Sequence, residues 1–189
     1  MKKLLFFIAA SSLIACNETG NNKIGSIGPG TTSEDSINNN NDSVSYPYTA
    51  SYADEFKVGN NQHAQTVLNI WKNWDSGNIS QSRDAFADSV TMVFYDGSVL
   101  KGNRDSIVNE SQRFRDNYDT VSSHLEAVVP LHIDEKNETW VSVWGTEVTT
   151  NKSGKKDSMK LHETWRLNNN GKVYHVEQYS AKPPVTDSL

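Results

Sequence analysis

The stretch of sequence that decides the fold runs from residue 161 to residue 179 and reads LHETWRLNNNGKVYHVEQY. Apolar and polar residues alternate on both sides of its centre, which is typical of half-buried β-strands. Between the two alternating runs lies Asn-Asn-Asn-Gly, a composition that favours a turn. The stretch therefore predicts two consecutive antiparallel strands of a sheet.

Each of these predicted strands has one face that combines apolar with ionisable side chains. Successive side chains of a strand point to opposite faces, so every second residue shares a face. The two faces contain Leu161, Glu163, Trp165 and Leu167 in the first strand, and Val173, His175, Glu177 and Tyr179 in the second. Charged groups beside tryptophan and tyrosine occur both in pocket walls and at sheet edges, so the pattern alone leaves both interpretations open.

The sequence before this hairpin predicts further strands. Residues 121–134 alternate between apolar and polar side chains, and residues 140–150 follow as the next strand of a meander. Residues 90–95 form an earlier predicted strand, which ends at Asp96-Gly97, a strong hairpin signal. These segments supply most of an antiparallel sheet.

Helices are predicted before and between these strands. Asn60 or Asn61 suits the cap of a helix that ends near Ser76, with Gly77 as its stop. A short second helix is predicted over residues 79–86, and a third helix follows Asn103. Helices separated from a run of long antiparallel strands predict the α+β class.

This order of elements resembles the NTF2-like superfamily, which includes SnoaL-type and ketosteroid-isomerase-type domains. The resemblance covers most of residues 63–181, and the matching segments are residues 86–90, 95–97, 100–102, 165–167 and 170–173. It implies a strongly bent antiparallel sheet wrapped around about three N-terminal helices, forming a cone with one pocket. It implies no single activity, because such cones occur both in enzymes and in binding proteins.

The resemblance also implies that the mixed faces of the last two strands look into the cone. Glu163, His175 and Glu177 would then be ionisable groups on a partly apolar wall, suited to proton transfer near neutral pH. Asp96 is a further candidate, although an Asp before Gly is also the expected turn residue. The aromatic residues expected in the pocket, each of which is also a candidate for the core, are Trp74, Trp144, Trp165 and Tyr179.

Two functions agree with these residues. We favour a module that binds a small apolar or amphipathic ligand, or a partner protein, because the sequence contains no clear acid–base pair. The alternative is a SnoaL-type or isomerase-type enzyme in which Asp96, Glu163, His175 or Glu177 transfers a proton. Whether the protein is an enzyme therefore stays open.

Composition argues against several other classes of function and partner. The chain has a formal charge of -5 and no basic cluster, so we expect no nucleic-acid partner. The five histidines lack zinc-binding spacing and no Gly-rich phosphate loop follows a strand, so we expect neither a metal nor a cofactor. Cones of this kind often pair through the outer face of the sheet, and Trp140, Trp144 or His162 would serve such a homodimer.

The amino terminus predicts where the protein resides. Lys2 and Lys3 precede a mostly apolar run over residues 4–15, which is too short to span a bilayer. The run ends in Leu-Ile-Ala-Cys and resembles the lipobox of bacterial lipoproteins, which implies a lipid anchor on Cys16. Cys16 is also the single cysteine, so no disulfide is expected. We therefore expect a protein of the bacterial cell envelope, anchored in a membrane and either at the outer membrane or facing the periplasm.

The sequence divides into four predicted parts. Residues 1–16 form the lipoprotein signal peptide, and residues 17–58 form a flexible tether rich in Asn, Ser and Gly. Residues 59–182 form the NTF2-like domain, and residues 183–189 form a C-terminal tail. An alternative for the end of the tether is a docking arm whose residues lie against the domain: Tyr46, Pro47, Tyr48 and Tyr52.

Overall fold

The computed structural model describes residues 47–52 and 56–183. The predicted signal peptide with Cys16, residues 17–46 and 53–55 of the predicted tether, and residues 184–189 of the predicted tail lie outside the described residues. Within the described part of the chain, no helix has the length and apolar composition needed to cross a membrane.

Three helical segments lie on one side of a sheet. Helix α1 (Asn61–Asp75) begins where the Asn60 side chain accepts a hydrogen bond from the Gln62 amide at 2.8 Å, and it is followed by Gly77 with a φ of 73°. Helix α2 (Arg104–Arg115) begins in the same way, with Asn103 accepting from the Ser106 amide. Between them, Ile79–Ala85 forms a 3₁₀-helix. Both α-helices start at the predicted asparagine caps.

Seven strands form a strongly curved sheet in the order β1-β4-β5-β6-β7-β2-β3. Neighbours pair antiparallel except β2 and β7, which run parallel. The strands are β1 (Lys57–Val58), β2 (Phe86–Val93), β3 (Val99–Asn103), β4 (Tyr118–Ile133), β5 (Glu138–Asn151), β6 (Lys156–Leu167) and β7 (Val173–Ala181). The four long strands β4 to β7 form the predicted meander.

Two of the predicted segments have different bounds or geometry in the structure. The second helix is a 3₁₀-helix that ends at Ala85, and strand β2 begins directly after it at Phe86 rather than at Val90. Phe86 is 2% exposed, so burial extends the strand toward its amino end. The Asp96-Gly97 turn is present between β2 and β3, with Gly97 at a φ of 82°.

A bulge in β7 changes which of its residues face the helices. Arg166 pairs with His175 but Leu167 pairs with Val173, so Tyr174 is an additional residue in β7. After such an insertion, each following side chain lies on the opposite face from the one that strict alternation predicts. Val173 and Val176 are therefore the buried residues of this strand, whereas His175 is not buried.

The core lies between α1 and the inner face of the central strands. Trp71 of α1 packs against β5 at Gly145, where an added Cβ would lie 2.7 Å from the His124 carbonyl oxygen and 3.0 Å from the Trp71 ring. Only a glycine fits between this carbonyl and this ring. The other fully enclosed side chains of the core include Val67, Phe86, Val90, Ile107, Val141, Val143, Leu167 and Val173.

The residues just before α1 contact the sheet. The Tyr52 ring meets the Trp140 ring edge-on with centroids 4.7 Å apart, and its hydroxyl donates to the Glu138 carboxylate at 3.1 Å. Strand β1 pairs with β4 through Lys57 and Val58. Tyr52 therefore lies against the domain, as in the docking-arm alternative. Tyr48 does not pack in this way, since it is 86% exposed.

Candidate functional site

A cavity of about 410 Å³ opens into the space between the helices and the inner face of the sheet. Its volume lies in the range of pockets that bind small molecules. Its walls are mainly apolar, and three large apolar side chains at its mouth, Tyr95, Val99 and Phe114, are each more than half exposed. Apolar side chains exposed at the mouth of an apolar cavity favour a ligand that extends to the surface.

Glu163 lies at the bottom of this cavity on β6 and is 6% exposed. One of its oxygens, Oε2, accepts hydrogen bonds from the indole N–H of Trp71 at 2.7 Å and of Trp165 at 3.0 Å. The other oxygen, Oε1, accepts from the Gln178 amide at 2.8 Å. Burial raises the pKa of Glu163, and the three donors oppose that rise because they stabilise the anion.

Glu147 is the second carboxyl group in the cavity, and it lies on β5 with partial exposure. Burial raises the pKa of Glu147 from 4.5 to about 7, against the opposing effect of a 2.7 Å hydrogen bond from the Trp74 indole N–H. This bond is the only one that Glu147 forms with the described residues, so most of its lone pairs remain available to a ligand. A carboxyl group that titrates near neutral pH inside an apolar cavity is suited to binding and to proton transfer.

The charges around Glu147 set its titration. The negative charges of Glu163 and Asp75 add to the rise of its pKa, whereas the positive charge of Arg115 lowers it. Arg115 is 6% exposed, and its guanidinium donates to the carbonyl oxygens of Trp74, Asp75 and Tyr118. Arg115 thus fastens the end of α1 to the start of β4 and does not form an ion pair with Glu147.

An aromatic cluster surrounds the hydrogen bond between Trp74 and Glu147. The rings of Trp74 and Phe114 are stacked with centroids 6.2 Å apart, and Phe114 meets Tyr118 edge-on at 5.9 Å. Burial is the largest cause that raises the pKa of Tyr118, and the negative charge of Glu147 is the second. The phenol of Tyr118 therefore lies near the Glu147 carboxylate. We call Trp74, Phe114, Tyr118 and Glu147 the aromatic–acid cluster.

The structure places four of the predicted pocket residues at this cavity. Trp74, Glu163 and Trp165 line its walls as predicted. Asp96 lies at the mouth, exposed in the β2–β3 turn, where its carboxylate accepts from the backbone amide and the hydroxyl of Ser98. The Ser98 hydroxyl and amide lower the pKa of Asp96, as expected for the turn interpretation.

The other four predicted pocket residues lie on the outer face of the sheet, so their predicted position is corrected. His175, Glu177 and Tyr179 follow the bulge at Tyr174, which turns them away from the cavity and brings Val176 and Gln178 into it. Trp144 alternates with the buried Val143 and stacks on His162 with ring centroids 4.6 Å apart. His175 and Glu177 instead form a 3.0 Å contact with each other.

Several residues of the site were missed by the sequence analysis. Its missed polar groups include Glu147, Gln178, Tyr118 and the indole N–H of Trp71. Glu147 was accessible to sequence reasoning, because it shares a strand face with Val141 and Val143. Gln178 was not accessible, since its inward orientation depends on the bulge in β7.

Other candidate sites carry less chemistry. A polar depression of about 580 Å³ lies beside α1 and is lined mostly by amide and hydroxyl side chains, with no Phe, Tyr or Trp among the described residues of its lining. Among residues 47–52 and 56–183, no group of three or more His, Cys, Asp or Glu side chains is arranged to hold a metal ion. The apolar cavity with its two interior carboxyl groups, Glu147 and Glu163, is therefore the candidate functional site.

Comparison with known proteins identifies the fold. No protein-family model and no curated protein matches the sequence. An NTF2-like protein of unknown function from Exiguobacterium sp. 255-15 matches with a TM-score of 0.51 and 13% identity, over 62% of this chain and 99% of that chain. The domain has the NTF2-like fold. The predicted α+β class, with a bent antiparallel sheet around three helices, is thereby confirmed.

Two further structures share the NTF2-like fold with this domain. The Orange Carotenoid Protein of Anabaena (Nostoc) sp. PCC 7120, with bound canthaxanthin, matches with a TM-score of 0.53 and 19% identity, over 68% of this chain and 38% of that chain. A protein from Catenulispora acidiphila DSM 44928 with a ketosteroid isomerase-like fold, in complex with trimethylamine, matches with a TM-score of 0.50 and 14% identity, over 61% of this chain and 84% of that chain. At these identities the likeness establishes the NTF2-like fold and no activity.

Proposed function

We propose that the NTF2-like cone binds a small, largely apolar ligand whose polar group reaches Glu147. The observation that carries this proposal is the cavity of about 410 Å³, which joins apolar walls to a carboxyl group with free hydrogen-bonding capacity. Mainly apolar walls with a few oriented polar groups are the usual composition of small-molecule sites. Two structures similar to this domain belong to proteins that bind small molecules, canthaxanthin in one and trimethylamine in the other, which agrees with the proposal.

We further propose that this cone is held at the bacterial cell envelope by a lipid on Cys16. The lipobox-like residues 13–16 support this proposal, and residues 17–46 contain no apolar period that would build a second domain. The outer face of the sheet, with the stacked pair Trp144 and His162 beside the exposed Tyr179, supports pairing of two copies. The function is thus ligand binding by a lipid-anchored homodimer.

Native mass spectrometry of the full-length chain, isolated from the membranes of its host, tests these statements together. We expect a chain that begins at Cys16 with added diacylglycerol, a dimer, and a non-covalent mass that is lost when the protein is unfolded. A mature chain without lipid would refute the anchor, and a monomer would refute the homodimer.

A titration with N-phenyl-1-naphthylamine, a neutral aromatic probe, tests the cavity itself. Ser111 lines the cavity on α2, and Ser111→Trp fills part of it. We expect this variant to bind the probe at least about tenfold more weakly than the wild type, a loss of about 1.4 kcal/mol. The matched control is Asn109→Trp, on the exposed face of the same helix, which should bind as the wild type does. Equal binding by both variants would refute the cavity as the ligand site.

The alternative function is proton transfer by Glu147, which its pKa of about 7 and its position in the cavity favour. The Glu147 carboxylate would take a proton from a carbon next to a carbonyl group, leaving the electron pair as an enolate, and would then return a proton to that carbon. Glu163 is less suited to this role because both of its oxygens already accept hydrogen bonds.

Hydrogen–deuterium exchange at the α-carbon of an enolisable ketone, 4-phenyl-2-butanone, tests this alternative. NMR in deuterated buffer should show exchange above the solvent rate that increases as the pH rises through 7, because the carboxylate is the active form. Glu147→Gln should reduce the rate to that of solvent, while Glu126→Gln on the exposed face of β4 should not. Exchange at the solvent rate in the wild type would refute proton transfer for this class of substrate.

A further inference from the structure

The ionisable side chains that line the cavity are acidic. Its acidic side chains are Glu147 and Glu163 in the interior and Asp96 and Glu110 toward the mouth. Among the described residues that line the cavity, none is Lys, Arg or His. Outside the lining, Arg113 pairs with Glu110, and Arg115, whose charge lowers the pKa of Glu147, has its guanidinium directed to three carbonyl oxygens. An anionic ligand would therefore meet repulsion and no cationic partner among the described residues that line this cavity.

The aromatic–acid cluster adds a second, independent feature. Trp74 directs its N–H edge to Glu147 and stacks on Phe114, so the aromatic surface that remains open to a ligand beside Glu147 is that of the exposed Phe114 and of Tyr118. Aromatic faces attract cations, and this attraction increases where water is displaced. A carboxylate beside several such rings combines ion pairing with cation–π attraction at one place.

From these two features we infer that the ligand of the cavity carries a positively charged group, an alkylammonium or similar organic cation, which binds in the aromatic–acid cluster while its apolar part extends along the walls. This inference rests on the proposed ligand-binding function and names the chemical class of the ligand. Trp74 orients the Glu147 carboxylate through its N–H, and the cation takes the lone pairs that this bond leaves free. Phe114, which is 59% exposed, closes the outer side of the cluster and lies where the ligand enters.

The inference also assigns different roles to the two buried carboxyl groups. Glu163 accepts three hydrogen bonds from Trp71, Trp165 and Gln178, and this set of neutral donors holds the bottom of the cavity in place. Glu147 forms one such bond and is nearer to solvent. Binding of a cation is therefore assigned to Glu147, and Glu163 is a positioning residue for the two tryptophans.

Two probes of the same shape and different charge test this inference. Calorimetric titration of the full-length chain at pH 7.5 and about 0.15 M salt, where distant surface charges are screened, compares (3-hydroxyphenyl)trimethylammonium with its neutral isostere 3-tert-butylphenol. We expect the cation to bind at least about tenfold more tightly than the neutral probe. The anion 3-hydroxybenzenesulfonate should not bind measurably.

Two variants show where the preference for the cation arises. Glu147→Gln should reduce the ratio of the two affinities to about threefold or less while binding of 3-tert-butylphenol is retained. The matched control Glu126→Gln removes a carboxylate from the exposed part of β4 and should leave the ratio unchanged. A ratio that Glu147→Gln does not reduce would overturn the assignment to the aromatic–acid cluster.

The outcomes distinguish this inference from the proposed function. If the neutral probe binds as tightly as the cation or more tightly, the inference fails while the cavity remains a ligand site. If none of the three probes binds, this inference is overturned. If N-phenyl-1-naphthylamine also fails to bind, the proposed function fails with it.

Discussion

Replacement of Trp71 by alanine is expected to lower the free energy of unfolding by about 3–5 kcal/mol. Trp71 is a buried residue of α1, and its ring packs directly over Gly145. Its indole N–H also donates to Glu163 at 2.7 Å. The alanine variant therefore loses apolar burial, leaves a cavity and removes one of the hydrogen bonds to a buried carboxyl group. Urea denaturation followed by circular dichroism at 222 nm measures the effect without depending on tryptophan fluorescence.

Trp71→Phe separates the packing contribution from the hydrogen bond. Phenylalanine keeps an aromatic ring against Gly145 but has no N–H, so Glu163 keeps only the donors from Trp165 and Gln178. We expect a loss of about 1–2 kcal/mol, clearly less than for alanine. Trp144→Ala on the outer face of the sheet is the matched control for loss of a tryptophan, and its cost should be smaller than that of Trp71→Ala. Equal costs at these two positions would contradict the description of Trp71 as the centre of the core.

The order of the elements in this fold was accessible to sequence reasoning because strong local signals mark their ends. Asn60 and Asn103 begin the two α-helices through side-chain hydrogen bonds, and Gly77 follows the first helix with a positive φ. The Asp96-Gly97 turn joins β2 to β3. Such signals depend on neighbouring residues alone, so they survive in a single sequence.

Which residues of the last strand face the cavity could not be predicted from the sequence, because a bulge has no reliable local signal. The additional residue Tyr174 exchanges the inward-facing and outward-facing positions that follow it. His175 and Glu177 therefore lie outside the cavity, and Gln178 lines it. In β6, which lacks a bulge between Leu161 and Arg166, alternation placed Glu163 and Trp165 correctly. For β6 and β7, the accuracy of the predicted site therefore followed the regularity of the strand.

The different roles of Glu147 and Glu163 could also be recognised only from the three-dimensional structure. Glu163 was predicted as a candidate from its strand face, but its three donors come from α1, β6 and β7. Glu147 was overlooked although its strand alternates regularly, because the resemblance directed attention to the last two strands. Its significance depends on burial and on the charges of Glu163, Asp75 and Arg115, which are distant in sequence.

Glu147→Gln is expected to stabilise the protein above neutral pH. The pKa of Glu147 is raised from 4.5 to about 7 in the folded state, so the folded protein holds a proton that the unfolded chain releases between these two values. The free energy of unfolding of the wild type therefore falls as the pH rises from 4.5 to 7, and it loses nothing more from this group at higher pH. At about 1.36 kcal/mol per pKa unit, the free energy of unfolding of the wild type falls by about 3 kcal/mol. The glutamine variant has no titrating group at this position and does not show this decrease.

Urea denaturation of both proteins at pH 4.5 and pH 8 tests this expectation. The variant should match the wild type at the lower pH and exceed it by up to about 3 kcal/mol at the higher pH, since glutamine keeps an oxygen to accept from Trp74. Glu163, whose pKa is also raised, interacts with Glu147 through its charge, so the difference between the two proteins measures Glu147 together with this coupling. Glu126→Gln should show the opposite sign, because Lys160 lowers the pKa of this exposed group.

A stabilising effect of Glu147→Gln would bear directly on function. A buried carboxyl group that lowers stability at neutral pH is retained by a protein when its charge serves binding or catalysis. If the variant gains stability at pH 8 and also loses its preference for a cationic probe, the same charge accounts for both changes. If the difference between the two proteins is the same at pH 4.5 and pH 8, the pKa of Glu147 is not raised by folding, and its charge at neutral pH lowers the stability of the protein no further.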